Sequence, residues 1–449
     1  MNLEQVLFNL ATKNEAQRDQ VVRWLHQSPY QLDTIAVKAR LHKIETAIFQ
    51  TLESWHATFA ISTLLNGTVA NKERLRRHLE AVLQDLSKGQ PVLPLSLMIL
   101  KGQAIQRWYP EQIPPRRISD IDLVIADEQD LWHLCLWLID RGFQSLAMGS
   151  AYLDHREPDK WHFIFSYEKK RFETDSAIIN RSVQVELYYK ATSLSPRHFF
   201  DFRPVLERAH VATKNNCSQN GEGDLFFLYP TREDCLLTLL IEISERPLIL
   251  RDAVDFYALT GMYATDYTTK LDWQRLFLRI EEESLVIQFL RIASYYLSMT
   301  SSQLPGDIEK KYVDWKHQKP YWKCIAKIST LNLIAPYLFH QSGWVAAAKE
   351  IPADLGSVIF ESRFFDRVHL RPESTYVSYS RQSQQRLVRL LQVSADYRGS
   401  LQWGEGQGGE LMLRTPIGVF VATHSNEFTE AFLHTICSHT PDRWARDQV

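Results

Sequence analysis

The spacing of apolar residues changes twice along this chain, and the segment between the two changes constrains the fold most. Residues 1–90 repeat apolar positions three and four apart, as amphipathic helices do. Residues 93–190 instead contain short, alternating stretches rich in Ile and Val, which predict strands. Residues 231–300 return to the helical spacing. The chain is therefore predicted to be α+β, with a small sheet that carries helices on one face.

The middle segment predicts its elements in a definite order. A short apolar strand leads into a short helix that Pro110 stops, and Gly142 ends a longer amphipathic helix with acidic residues in its first turn. The predicted strands are 93–100, 118–126, 160–169 and 181–190, and the predicted helices are 101–109 and 127–142.

A chain of 449 residues is too long for one ordinary core, so we expect several domains. The predicted divisions are an N-terminal helical region (1–90), a domain that carries the chemistry (91–230), a helical bundle (231–300) and an α+β region of unknown role (301–449). Asn71 is predicted to cap a helix within the first division, and Thr231 with Asp234 to form a capping box in the third. In the fourth, residues 303–323 are expected to be a polar connection, 357–365, 374–380 and 410–424 strands, and 382–392 and 426–438 helices.

Charge and cysteine content narrow the functional class. The net charge is −2 and the pI is about 6.7, whereas broadly basic nucleic-acid binders carry a stronger bias. The five cysteines are scattered and form no CxxC pair, so we expect reduced thiols and a cytoplasmic protein. No apolar run reaches the roughly 20 residues of a membrane span, and the first residues lack the basic character of a signal peptide.

The segment Ser119-Asp120-Ile121-Asp122 is the sharpest local signal. Residues two apart on a strand point the same way, so Asp120 and Asp122 would project side by side. Two carboxylates that close repel each other, and a cation relieves the repulsion. Mg²⁺ suits such a pair because it takes hard oxygen ligands and is commonly shared with substrate phosphates. Asp-x-Asp also occurs by chance on solvated strands, but this pair opens the apolar strand that continues with residues 123–125.

Further candidates flank this pair. Lys101-Gly102 opens a helix, where backbone N–H groups and a lysine charge could meet a phosphate, although the same residues also suit an ordinary turn. Glu186, on a later strand, could supply a third carboxylate or be an exposed strand residue.

Two other residues are candidates for contact with a substrate. His162 has no second histidine at zinc-ligand spacing, which leaves a structural or a substrate-contacting role. Arg251 could form a buried ion pair with Asp252 or reach a phosphate, and the sequence does not separate these roles.

Residues 404–409 match the glycine pattern of dinucleotide-binding loops, but only superficially. That fingerprint requires a helix after the glycines, and the residues that follow predict strands. The match is therefore interpreted as a hairpin loop.

Together, the segments from Asn71 to Met299 resemble the nucleotidyltransferase superfamily with the polymerase-β-like fold, in particular its branch of uncharacterised bacterial nucleotidyltransferases. The features that match the branch are a helix rich in Arg and Leu, a strand ending in Lys-Gly, a Tyr-Pro pair, an Arg shortly before Asp-Ile-Asp-Leu, a strand Glu, and later Arg-Asp and Asp-Trp pairs. In this chain they lie at 74–86, Lys101-Gly102, Tyr109-Pro110, Arg117, 120–123, Glu186, Arg251-Asp252 and Asp272-Trp273.

The resemblance implies transfer of a nucleotidyl group from an NTP, with ATP as the expected donor and Mg²⁺ or Mn²⁺ as the cofactor. Asp120, Asp122 and Glu186 would hold the metals, and Glu186 would help to activate the acceptor. Lys101, Gly102, Arg117 and Ser119 would bind the nucleotide, and His162 and Arg251 are the candidate substrate contacts. Two positions depart from the pattern: the usual Gly-Ser is Lys101-Gly102 followed by Gln103, and the histidine usual after the strand Glu is replaced by Leu187-Tyr188.

The leading hypothesis is an enzyme that modifies a small molecule, a peptide or a protein, in natural-product or polysaccharide biosynthesis, with no membrane partner. One alternative is a binding protein that kept the fold and lost the chemistry. A second is a toxin that modifies tRNA, against which the balanced charge argues.

Overall fold

The structure is a computed structural model and describes most of the chain. The described residues are 1–57, 60–89, 97–145, 148–153, 161–169, 183–189, 200–211, 227–244, 248–262, 271–300, 304–319, 378–379, 386–394, 397–405 and 411–423. They fold as α+β, as the sequence predicts. Two of the predicted elements of the last division, 357–365 and 426–438, lie outside the described residues.

The described part of the chain contains thirteen α-helices. They are α1 (Leu3–Ala11), α2 (Arg18–Gln27), α3 (Leu32–Leu41), α4 (Glu45–Ser54), α5 (Ala60–Gly89), α6 (Lys101–Gln106), α7 (Glu128–Asp140), α8 (Arg203–Arg208), α9 (Arg232–Ser244), α10 (Leu250–Thr260), α11 (Trp273–Glu282), α12 (Val286–Met299) and α13 (Gly306–Gln318).

Thirteen described strands form one sheet. They are β1 (Leu97–Ile99), β2 (Asp120–Ile125), β3 (Gln144–Ser145), β4 (Met148–Leu153), β5 (Trp161–Lys169), β6 (Val183–Tyr189), β7 (His210–Val211), β8 (Leu228–Tyr229), β9 (Ser378–Tyr379), β10 (Arg386–Ser394), β11 (Gln402–Glu405), β12 (Leu411–Thr415) and β13 (Gly418–Thr423). Their order is β11-β12-β13-β10-β4-β5-β6-β2-β1-β8-β7, with β3 beside β5 and β9 beside β10.

Two compact units divide the chain, and neither is continuous in sequence. The first, the helical unit, takes its described residues from 1–80, 100–119 and 230–365, and the second, the sheet unit, from 81–99, 120–229 and 366–449. The sheet unit is discontinuous because β4 and β10 pair in antiparallel register, although more than 230 residues separate them. Segments 91–230 and 301–449 of the linear division therefore share one sheet.

The helical unit has an aromatic and aliphatic core. Phe8 of α1 meets Tyr257 of α10 and Tyr296 of α12 at ring distances of 5.8 and 5.9 Å. Thr231 caps α9 as predicted, since its hydroxyl accepts a 3.2 Å hydrogen bond from the Asp234 amide. The same hydroxyl donates to the Asp234 carboxylate over 2.8 Å, in place of the backbone N–H that would donate in a full capping box. These contacts bury the apolar faces that the helical spacing of 231–300 predicts.

The sheet unit buries one face of its central strands under α7. Trp132 of α7 packs on Phe163 and Phe165 of β5, with ring centroids 5.5 and 5.7 Å away. Asp127 caps α7 by accepting a 2.8 Å hydrogen bond from the Gln129 amide. Gly142 follows the helix with a φ of 79°, the left-handed conformation that glycine permits. The helix predicted over 127–142 is thus confirmed.

Three predicted elements are wrong. Asn71 does not cap a helix, because α5 runs unbroken through it. Residues 306–318, expected within a polar connection, form α13, because the fully buried Trp315 anchors them to the core. Residues 386–392, expected to be helical, belong to β10, because that backbone pairs on both sides, with β4 and with β13.

Two further expectations concern the glycine pattern at 404–409 and membrane-spanning helices. β11 and β12 pair in antiparallel register up to Glu405 and Leu411, so strands flank residues 406–410 and the dinucleotide reading is excluded. Among the described residues, no helix is both long enough and apolar enough to cross a bilayer.

Candidate active site

Asp120, Asp122 and Glu186 lie on one face of the sheet unit. β2 and β6 are parallel neighbours, and their register pairs Asp122 directly with Glu186. Directly paired residues on adjacent strands point the same way, and strand spacing puts their backbones about 5 Å apart. Asp120, two residues earlier on β2, shares that face and pairs with Gln184.

The local sequence explains why these polar residues share one face. In both strands the residues between them are apolar and fully buried: Ile121 and Leu123 in β2, and Val185 and Leu187 in β6. Period-two alternation turns these side chains toward the face that α7 covers, so the carboxylates turn to the other. We call this other face the carboxylate face and define it by Asp120, Asp122, Gln184, Glu186 and, from β5, Ser166 and Glu168, which pair with Glu186 and Gln184.

Tyr188 connects two of the carboxylates. Its hydroxyl donates a hydrogen bond to Oε2 of Glu186 and lies 3.3 Å from Oδ1 of Asp122. Tyr188 and Asp122 are each only 2% exposed, so this contact is shielded from water. A buried carboxylate needs a donor or a cation, and the hydroxyl supplies the donor here.

The carboxylates do not form a complete ligand set by themselves. Among the described residues, no group of three or more His, Cys, Asp or Glu side chains is close enough to hold a metal ion. The adjacent pair Asp122 and Glu186 still fits Mg²⁺, which is commonly bound by one or two carboxylates together with substrate phosphates.

His162 lies on the carboxylate face of β5 but further along the strand. Its side chain is fully buried, and its ring lies 6.4 Å from that of Tyr189. In the register of β5 and β6, Ile164 stands between His162 and the position opposite Glu186. The structure therefore places His162 on the same face as Glu186, four residues along β5 from Ser166, the residue paired with it.

The remaining predicted residues belong to the helical unit. Lys101 and Gly102 open α6, Ser119 is half-buried just before β2, and Arg117 donates a 2.8 Å hydrogen bond from Nη1 to the fully buried Glu45. At Gly102 an added Cβ would collide with the guanidinium of Arg116. This close approach gives glycine a packing reason at that position, beside any role in phosphate binding.

Arg251 takes part in a buried network that the sequence did not reveal. Asp255 accepts hydrogen bonds from Nε of Arg116, 3.0 Å from both carboxylate oxygens, and from the Tyr109 hydroxyl at 2.5 Å. Nε of Arg251 lies 3.9 Å from Asp255, and its Nη2 donates to Glu242 over 3.3 Å. Of the two roles left open for Arg251, the structure shows an ion pair, with Glu242 and Asp255 as well as with Asp252.

Burial and charge oppose each other in this network. Burial raises the pKa of Asp255, although the Arg116 and Arg251 guanidinium groups and the Tyr109 hydroxyl pull it down. Burial alone would lower the pKa of Arg116, but the nearby Asp255, Glu242 and Tyr109 groups together outweigh it, so the pKa of Arg116 lies above its usual value. Burial, together with the Asp255 carboxylate, also raises the pKa of Tyr109. Loss of any one partner would therefore leave a buried charge without its counter-charge, which would destabilise the folded protein.

Sequence reasoning missed several residues of both units. Ser166 and Glu168 were within reach, because they alternate with apolar residues along a predicted strand. The contacts that join Arg116, Tyr109 and Asp255 could not be predicted from the sequence, because these residues come from distant segments and no local spacing connects them.

Comparisons with known proteins give one family match and a similar solved structure. Residues 31–301 match the model of a family described as "Uncharacterised nucleotidyltransferase". A solved structure of an antigenic nucleotidyltransferase-like protein from Paracoccidioides brasiliensis is similar at 17% identity, covering 46% of this chain and 88% of that chain, with a TM-score of 0.27. No curated protein matches the chain.

Proposed function

Since this chain belongs to the family of uncharacterised nucleotidyltransferases, we propose that it transfers an NMP group from an NTP to an acceptor in a metal-dependent reaction, with pyrophosphate as the leaving group. The proposed donor is ATP, and the proposed acceptor is a hydroxyl or amine of a small molecule, a peptide or a protein. A cytoplasmic role in natural-product or polysaccharide biosynthesis is the proposed setting.

The observation that carries this proposal is the direct pairing of Asp122 with Glu186 across parallel strands, with Asp120 on the same face. In the proposal, Asp120 and Asp122 hold Mg²⁺ or Mn²⁺, and Glu186 completes the site and accepts the proton of the acceptor. The bound metal would neutralise charge on the transferred phosphate and lower the pKa of the acceptor.

The nucleotide contacts stay predictions. Lys101, Gly102, Arg117 and Ser119 are proposed to bind the NTP, and His162 and Arg251 are proposed to contact the substrate. The ion pairs of Arg117 with Glu45 and of Arg251 with Glu242 fix where each guanidinium lies in the helical unit.

A second candidate function is nucleotide binding without transfer. It is favoured by the absence of a three-ligand metal cluster among the described residues. It is also favoured by Lys101-Gly102-Gln103 in place of the usual Gly-Ser. In that case the carboxylate face would recognise a nucleotide without metal-assisted chemistry.

The first experiment measures the thermal stability of the wild type with each NTP, with and without Mg²⁺. A ligand that binds only the folded state raises stability by mass action, by about 2.7 kcal/mol at a hundred times its Kd. We expect a metal-dependent shift with one NTP that is lost in Asp120→Asn. Asp140→Asn is the matched control, since Asp140 is an exposed carboxylate at the end of α7 and should leave the shift unchanged.

The outcomes separate the two candidates. A metal-dependent shift that Asp120→Asn abolishes supports the transferase, and radiolabelled NTP then identifies the acceptor. A shift that persists without metal and survives Asp120→Asn supports the binding protein. Retained transfer activity in Asp120→Asn would overturn the metal assignment.

A further inference from the structure

The helical unit contains a recess whose charged lining is entirely cationic. Lys43, Arg116, Arg117 and Arg251 line it, and within the described part of the chain no Asp or Glu does. The recess has a volume of about 280 Å³ including its open mouth. Such a recess can admit one small polar group, with the rest of a ligand outside.

The carboxylates that balance these cations do not line the recess in the described structure, although one of them, Glu45, is the first residue of α4 and stands between two lining residues. The four are Glu45 beside Arg117, Asp255 beside Arg116, and Glu242, Asp252 and Asp255 around Arg251. The cationic groups are thus anchored by acids that do not line the recess, an arrangement that suits an anion.

The start of α4 also lies at this recess. Ile44, which precedes the first residue of α4, lines it together with Thr46 and Ala47 of the first turn, and no side chain caps this helix. The amides of a first helical turn have no acceptor within the helix, and the helix dipole favours an anion there. α4 is ten residues long, so its dipole is developed over nearly three turns.

Two buried donors at the recess lack hydrogen bonds within the described structure. The Thr46 hydroxyl has no partner although Thr46 is only 9% exposed. Nε of Arg251, in a residue 6% exposed, has an ion-pair contact at 3.9 Å but no hydrogen bond. A buried donor without an acceptor is unfavourable, so both groups favour an acceptor in the recess.

We infer that this recess binds one oxyanion group, a phosphate or a carboxylate, at the end of a larger molecule. The first-turn amides of α4 and the Thr46 hydroxyl donate to its oxygens, and Lys43, Arg117 and Arg251 supply the charge. The inference shares Arg117 and Arg251 with the proposed nucleotide and substrate contacts, but it is argued from the helical unit alone and its test needs no transfer reaction.

The test uses the full-length protein without divalent metal, at constant ionic strength adjusted with chloride. Inorganic phosphate, acetate and ATP are titrated separately, and binding is followed by calorimetry and by thermal shift. We expect phosphate or acetate to bind, and Thr46→Val to weaken that binding about tenfold or more, since a hydrogen bond to a charged group contributes roughly 1.5–3 kcal/mol. Lys43→Gln should weaken it as well.

Thr51→Val is the matched control, because Thr51 is on the same helix and its buried hydroxyl also lacks a hydrogen bond in the described structure, but it does not line the recess. Both Val variants should be at least as stable as the wild type without ligand, because each removes an unsatisfied hydroxyl. Phosphate binding that survives in Thr51→Val and falls in Thr46→Val supports the site.

The three ligands distinguish the source of the oxyanion. Binding of phosphate and ATP but not acetate assigns a phosphate end, and binding of acetate alone assigns a carboxylate end. Absence of binding by all three, or equal binding by the wild type and Thr46→Val, overturns the inference. A failed nucleotidyl-transfer assay does not bear on it, because this measurement needs neither metal nor turnover.

Discussion

At the scale of single residues, the candidate site depends on contacts between side chains far apart in sequence. Asp122 and Glu186 are 64 positions apart, yet strand register makes them direct neighbours. Tyr188 belongs to the Leu187-Tyr188 pair, which replaces the histidine that the family resemblance leads one to expect after Glu186. Its hydroxyl contacts both carboxylates, as a tyrosine hydroxyl can because it is a hydrogen-bond donor.

Tyr188→Phe is expected to lower the free energy of unfolding by about 1–3 kcal/mol in metal-free buffer, because the buried Asp122 and the half-buried Glu186 lose a donor. Denaturant unfolding measures the change. If the carboxylates bind a divalent cation, Mg²⁺ should raise the melting temperature of this variant more than that of the wild type. The reason is that, without the Tyr188 hydroxyl, the repulsion between the two carboxylates is not relieved until the cation binds.

The control for Tyr188→Phe is Tyr167→Phe on the opposite face of the same sheet. Tyr167 is also fully buried, and its hydroxyl lies beside the Cys135 thiol instead of a carboxylate. This variant should show no Mg²⁺-dependent difference from the wild type. An equal response of both variants to Mg²⁺ would show that the Tyr188 hydroxyl has no specific connection to the carboxylates.

At the scale of elements, the burial of a few apolar residues determines secondary structure that the composition of the segment did not predict. Residues 306–318 are rich in charge, yet they form α13 because Ile308, Tyr312 and Trp315 fall on one face and become buried. Trp315 contacts Phe277 and Phe289 at ring distances of 5.4 and 5.3 Å, and its Nε1 donates to Glu281 over 2.8 Å. Three anchors at helical spacing are enough to order a mostly polar helix.

Trp315→Ala is expected to lower the free energy of unfolding by about 3–5 kcal/mol, the usual cost of emptying a fully buried tryptophan site. Val313→Ala, on the same helix but 42% exposed, should change it by less than about 0.5 kcal/mol. Both are measured by denaturant unfolding. Equal effects would mean that residues 306–318 are the polar connection expected from composition.

At the scale of the whole molecule, the sheet is assembled from two distant parts of the chain. β4 obtains one of its two neighbours from β10, and β10 in turn pairs with β13. Residues 386–394 have apolar side chains at several adjacent positions, a pattern that is compatible with either a helix or a strand. The strands that pair with this segment decide between the two. The C-terminal strands are therefore part of the same sheet as the candidate site.

A chain that stops after residue 377 is expected to aggregate, because β4 would then have an unpaired backbone edge. Solubility after expression and size-exclusion chromatography measure this. Supplying residues 378–449 as a separate polypeptide should restore solubility if lost strand pairing is the cause. A soluble, monomeric truncated chain would instead support a separate C-terminal domain.

The sequence by itself determined the α+β class, the start of β2 with its two carboxylates and the capping of α9, because each depends on residues within a few positions of one another. It also carried the family resemblance. Only the tertiary structure decided that Glu186 is the direct neighbour of Asp122 and that Tyr188 contacts both. It likewise decided that Arg116, Tyr109 and Asp255 form one network and that β10 is a strand. Local spacing fixes which way a side chain points along its own element, whereas register between elements fixes what it meets.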